Sequence, residues 1–152
     1  MRFFEKMGVK GVAAIEFALI FPVLFLMLYG LITYSMIFAV QHSLNLAAAE
    51  GARASVRYQS QKDDAQMRIA AACQVIEQNL SWIKGLGVGV SCPSQNGSAL
   101  SVVVQNSKKQ NDLHELDISL KFHYAQNPIL PVIFPVPENL TAHAVSQFSL
   151  SF

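Results

Sequence analysis

The sequence predicts an α+β chain in which a long N-terminal helix crosses a membrane, continues into an exported helix and packs there on a small antiparallel β-sheet. Three observations carry that expectation. Residues 17–40 form a run of 24 positions without a charge. Residues 69–83 place apolar side chains three and four apart, and beyond residue 85 the apolar spacing falls to two.

The uncharged run FALIFPVLFLMLYGLITYSMIFAV lies between Glu16 and Gln41. At about 1.5 Å per residue it reaches roughly 36 Å, enough to cross a hydrocarbon core of about 30 Å with a modest tilt. A secretory signal peptide would have an apolar core of only about 7 to 15 residues followed by a small-residue cleavage site. A helix buried in a soluble core is the other alternative. The segment is apolar on every side, however, and the remaining chain is too small to surround it.

Flanking cations set the expected orientation. Arg2, Lys6 and Lys10 precede the span and Arg53 and Arg57 follow it. This small bias puts the N-terminal arm in the cytoplasm and residues 41–152 outside the cytoplasmic membrane. The exported part carries eight Lys/Arg and eight Asp/Glu. It therefore shows no electrostatic footprint for nucleic acid. Its size allows one modest core. Cys73 and Cys92 could pair as a disulfide in an oxidising compartment or remain two buried thiols.

After the span, QHSLNLAAAEGARASVRYQSQKDDAQMRIAAACQVIEQNLSWIKG is rich in helix formers, with Gly51 as an interior breaker. The helix is expected to run on from the membrane and to break near Tyr58–Lys62. A second helix is favoured at its start by Asp63 and Asp64. Ile69, Ala72, Cys73, Ile76, Leu80 and Ile83 form its apolar face.

Four strands are expected after Gly85. Leu86, Val88, Val90 and Cys92 line one side of the first, and Leu100, Val102 and Val104 mark the second. In the third, Leu116, Ile118, Leu120, Phe122 and Tyr124 alternate with Glu115, Asp117, Ser119, Lys121 and His123, the pattern of a half-buried antiparallel strand. Leu140, Ala142, Ala144, Phe148, Leu150 and Phe152 give the last strand a similar face. If Cys92 ends the first strand, it and Cys73 both point at the helix-to-sheet core. Residues 128–137, PILPVIFPVP, contain four prolines and are expected to form an extended surface-hugging loop that could also contact a neighbouring subunit.

The functional argument begins at Glu16, a carboxylate at the cytoplasmic edge of an apolar helix. A charge at the centre of a membrane helix costs about 2.5 to 3.5 kcal/mol, less near the interface, so such residues are usually paired or functional. Upstream lies a basic arm ending in Lys10-Gly11, and Glu16 is the fifth residue after Gly11. The junction KGVAAIEF resembles the prepilin cleavage motif of the type IV pilin superfamily. In that superfamily a membrane aspartyl peptidase cuts after a glycine and leaves a mature chain whose fifth residue is Glu. The resemblance implies cleavage between Gly11 and Val12. It also implies pairing of the new α-amine with Glu16, next to Phe17, within one subunit or between neighbours.

EFALIFPVLFLMLYGLI, with AAAEGARA after the span, narrows the match. From Gly11 to Ala54 the chain is similar to the TadE-like family of the tight-adherence (Tad/Flp) pilus systems. The specific elements are the Gly11–Phe17 junction, Pro22 and Glu50-Gly51-Ala52-Arg53. The implied organisation is a removed leader, 1–11, a transmembrane and assembly helix, 12–40, and an exported pilin-like domain, 41–152. The implied function is that of a TadE- or TadF-type minor pilin. Its partners would be a prepilin peptidase, other pilin and pseudopilin subunits, and the inner-membrane assembly platform.

Pro22 removes one backbone donor and leaves the Ala18 carbonyl unpaired, so a helix kink is expected there. The four histidines, His42, His114, His123 and His143, show no helical zinc spacing, although His123 and His143 could meet across a sheet. No phosphate-binding loop or catalytic triad spacing is present. The chain is thus expected to act without metal or cofactor and not as an enzyme. The alternative is a signal-anchored periplasmic binding or sensor module.

Overall fold

The computed structural model describes residues 7–57, 65–93, 99–108 and 113–149. Helix α1 spans Met7–Arg57, α2 spans Ala65–Asn79 and the short α3 spans Ser81–Gly85. Strands β1, Leu100–Lys108, β2, Leu113–Phe122, and β3, Leu140–Ser149, form one sheet in the order β1-β2-β3, with both pairs antiparallel. This is the expected α+β arrangement of a long apolar helix followed by a small sheet. Two compact units make up the chain, Met1–Ile37 and Phe38–Phe152.

In the first unit, α1 is long and apolar enough to cross a membrane, and every side chain from 11 to 28 is exposed. One long apolar N-terminal helix of this kind fits a single-pass membrane anchor. Its backbone stays helical on both sides of Pro22. Thr33 returns its hydroxyl to the Tyr29 carbonyl at 2.9 Å and Ser35 to the Ile32 carbonyl at 2.8 Å, so these polar groups are satisfied inside the helix.

The second unit contains the folded core. The later part of α1 buries Val40, Leu44, Ala47, Ala48, Gly51, Ala52 and Ser55, a stripe at three- and four-residue spacing. Opposing it are Leu116, Ile118, Leu120 and Phe122 of β2, with Leu100 and Val102 of β1 and Leu140 and Ala142 of β3. Helix α2 contributes Ala72, Cys73 and Ile76, and Leu80 and Ile83 complete the face expected of that region. The register aligns these residues: Leu100 opposes Phe122, which in turn opposes Leu140. Burial on one side of the sheet only is the signature of the two-residue alternation.

Three sequence expectations change. The strand expected over residues 86–92 is absent. Gly87, at φ 88°, follows α3 and turns the chain, and the Cys92 amide donates to Glu77 of α2 at 3.1 Å instead of joining a ladder. Val88 and Val90 are nevertheless buried, so the alternation recorded burial without sheet pairing. His123 lies beyond the end of β2, and its amide donates to the Ala99 carbonyl at 3.0 Å. His143 stands opposite Ser119, four residues back along the chain from His123, so the two histidines do not meet. The second helical region is two helices, divided at Leu80. The break expected at Tyr58–Lys62, with Asp63, Asp64, Leu150 and Phe152, lies outside the described residues.

Candidate functional site

Position 11 has no packing reason to be glycine. A Cβ built there meets nothing within 4 Å, and Gly11 lies inside α1 without a positive φ. Glycine in a helix interior costs about 1 kcal/mol relative to alanine. Gly11 therefore weakens the helix without fitting a neighbour among the described residues.

Val12, Glu16 and Phe17 are also exposed, Val12 at 63% and Phe17 at 66%. Residues four apart on a helix stand one above the other, about 5–6 Å between Cβ atoms, so Val12 and Glu16 share a face. In the intact chain position 12 offers only a peptide group inside α1. A chain beginning at Val12 would put a charged amine and the positive end of the helix within about a turn of the Glu16 carboxylate.

Phe17 also starts an aromatic stripe. Its ring stacks on Phe21 at 5.4 Å between centroids, Phe21 on Phe25 at 6.2 Å and Phe25 on Tyr29 at 6.4 Å. Such pairs add about 0.5–1.5 kcal/mol beyond burial. The i, i+4 spacing of these four residues was visible in the sequence, but the uniform apolarity around them masked it. Pro22 lies within this segment and withholds its amide from the Ala18 carbonyl.

Glu50, Gly51, Ala52 and Arg53 have distinct local tasks. The Arg53 guanidinium donates to Glu50 at 2.6 Å on the exposed side, a pair worth a few tenths of a kcal/mol. On the opposite side, a Cβ at position 51 would come within 2.8 Å of Ile76 Cγ1 and 3.4 Å of Ile118 Cδ1. Gly51 is thus the point at which α1 approaches both α2 and β2, and Ala52 is buried beside it.

Two polar contacts fasten the end of α1. The buried Ser55 and Ser146 hydroxyls are 2.9 Å apart, and Arg68 of α2 donates to the Ser55 carbonyl at 2.9 Å. That carbonyl belongs to the last turn, where helix acceptors lack intrahelical partners and a cation is favoured. Neither contact followed from periodicity. The one sequence signal was a serine, Ser146, at an inward position of an otherwise apolar strand face. Cys73 and Cys92 are joined by a disulfide with Cα atoms 5.3 Å apart, which ties the segment after α3 to α2.

A hollow of about 550 Å³ lies against Ala52, Val56, Ala144 and Val145, with Arg53 and Arg57 among its lining. Its described lining supplies guanidinium groups and the Ser146 hydroxyl but no histidine, cysteine or carboxylate. His143 Nε2 lies 2.8 Å from Asp117 Oδ1 on the outer face of the sheet. Among the described residues no three His, Cys, Asp or Glu side chains cluster as a metal site.

No curated protein and no solved structure matches the chain. Residues 11–53, from the unpacked glycine to the arginine paired with Glu50, match the family model described as TadE-like protein, so the chain is similar to that family over this segment.

Proposed function

We propose that the chain is a minor pilin of a Tad/Flp-type type IV pilus, acting in assembly, initiation or capping of the filament. The observation that carries this reading is Gly11, a helix-weakening residue with no packing role at the first position of the TadE-like match, five residues before an exposed Glu16. A prepilin peptidase cuts between Gly11 and Val12 at the cytoplasmic face. The reaction removes a segment carrying Arg2, Lys6 and Lys10 and creates a new amine beside Glu16.

The electrostatic consequence follows directly. Before the cut, Glu16 carries an unpaired charge at the edge of the span. Afterwards the Val12 amine and the helix's positive end can compensate it, within one subunit or across to a neighbour, and at low dielectric such a pair fixes register strongly. Loss of the basic arm also removes charges that resist withdrawal of the helix into a filament. In that setting the exposed apolar face of α1 is covered by other pilin helices, and the assembly platform of the inner membrane receives the subunit.

N-terminal sequencing of the protein from cells expressing the pilus and peptidase genes tests the proposal. The expected mature chain starts at Val12, and Gly11→Leu blocks the cut. Because a Cβ at 11 meets nothing within 4 Å and position 11 lies in the first unit, that variant leaves the second unit folded. An uncut wild-type chain would overturn the reading.

A further inference from the structure

The connection between β2 and β3 stands at the end of the second unit where α1 leaves its apolar stretch. Gln41, the first residue after that stretch, donates its side-chain amide to the Thr141 carbonyl at 2.8 Å. Further along both elements, Ser55 meets Ser146 at 2.9 Å, so β3 and this part of α1 advance in the same direction. Leu140 pairs with Phe122, so the turn from β2 into β3 is at the Gln41 end.

The base of the connection is closed. The Ala125 amide donates to the Glu138 carbonyl at 3.3 Å, and Tyr124, fully buried, packs its ring edge-on to Phe122 at 5.8 Å. Beyond that base, residues 125–137 carry no charged side chain. Val132 and Ile133 are 49% and 56% exposed. Pro128, Pro131, Pro135 and Pro137 have no backbone N–H, so four of the ten residues 128–137 have no donor to desolvate.

We propose that residues 128–137 dock into the membrane surface beside the emerging helix, with Val132 and Ile133 entering the boundary between headgroups and acyl chains. This rests on the reading of the apolar stretch of α1 as a membrane span. A lipid surface is the partner that fits. An unpaired backbone donor placed in hydrocarbon costs several kcal/mol, and this loop has shed many of its donors, lacks charge and lies where the span ends. The shallow zone reached by interfacial segments, about 5–10 Å deep, suits two exposed apolar side chains in a loop. With no cation in the loop, docking does not depend on anionic lipid. It holds the exported unit against the bilayer through a second point besides α1 until the helix is withdrawn.

The test uses the full chain reconstituted in phosphatidylcholine vesicles, with the Cys73–Cys92 disulfide intact so that only an introduced thiol takes a fluorescent label. Ile133→Cys and, separately, Val132→Cys place the label in the loop, Leu24→Cys in the span and Val103→Cys on the exposed face of β1. Brominated phosphatidylcholine is expected to quench the labels at 133, 132 and 24 and to leave 103 bright. Labels at 133 and 132 that behave like 103 while 24 is quenched would overturn the docking and leave the span standing. An unquenched label at 24 would overturn the span reading and the docking with it. Loop labels shielded from aqueous iodide only when other pilus subunits are added, without lipid quenching, would make the loop a protein contact and overturn the proposal.

Discussion

Gly51 shows how one missing side chain sets the distance between three elements. Ile76 Cγ1 and Cδ1 would lie 2.8 and 2.9 Å from a Cβ placed there, with Ile118 Cδ1 at 3.4 Å. For alanine, the helix-propensity gain of about 1 kcal/mol opposes the shift forced on Ile76, so Gly51→Ala should be nearly neutral. For leucine the propensity gain is similar, but the added carbons have no space, and overpacking costs about 1–3 kcal/mol or more. Gly51→Leu is therefore expected to lower the urea midpoint of the second unit in mild detergent. Trp82, the chain's single tryptophan, reports that unit without contribution from the span. An unchanged midpoint would mean that α1 does not sit against Ile76. Sequence alone marked Gly51 as a breaker of helix propensity and as part of the Glu50–Arg53 resemblance but not as a close approach, because that depends on two residues, 76 and 118, that the chain brings back from afar. The same limit hid the Ser55–Ser146 contact, whose partners lie 91 residues apart.

At the scale of elements, local period was a good guide to burial and a weaker one to pairing. The alternation over residues 115–122 became β2 with its apolar side inward, since the central strand has a partner on each edge. Over residues 86–92 the same alternation produced an unpaired segment, because α3 and the Gly87 turn deliver it to α2, away from the sheet. That segment depends on the Cys73–Cys92 link and on the Cys92 amide bond to Glu77. A disulfide closing a loop of 19 residues stabilises by about 3 kcal/mol in the chain-entropy description. The pair Cys73→Ala and Cys92→Ala should lower the urea midpoint read by Trp82 correspondingly. Reduction of the wild-type chain should reproduce the shift, and equal midpoints before and after reduction would show that the link contributes nothing.

For the whole molecule, the chain's two units make separable demands on the sequence. A membrane anchor needs apolarity and length, which the N-terminal helix supplies regardless of Glu16. The proposed assembly role needs a group that a neighbouring helix can recognise, and a lone carboxylate at the edge of an uncharged stretch is costly unless paired. Glu16→Ala removes that charge from an exposed helical position, raises helix propensity and disturbs no packing in the second unit. Insertion, cleavage after Gly11 and the Trp82 unfolding midpoint should all stay at wild-type levels, while pilus assembly falls. Glu16→Gln separates charge from shape: if the carboxylate pairs with a terminal amine, Gln fails with Ala, and if a polar side chain of that length suffices, Gln restores assembly. Crosslinking between subunits at Phe17, counted against piliation in the same cells, locates the defect. Normal piliation in Glu16→Ala would remove Glu16 from the assembly step even if cleavage after Gly11 held, since the proposed cut and the proposed pairing rest on different residues of the helix.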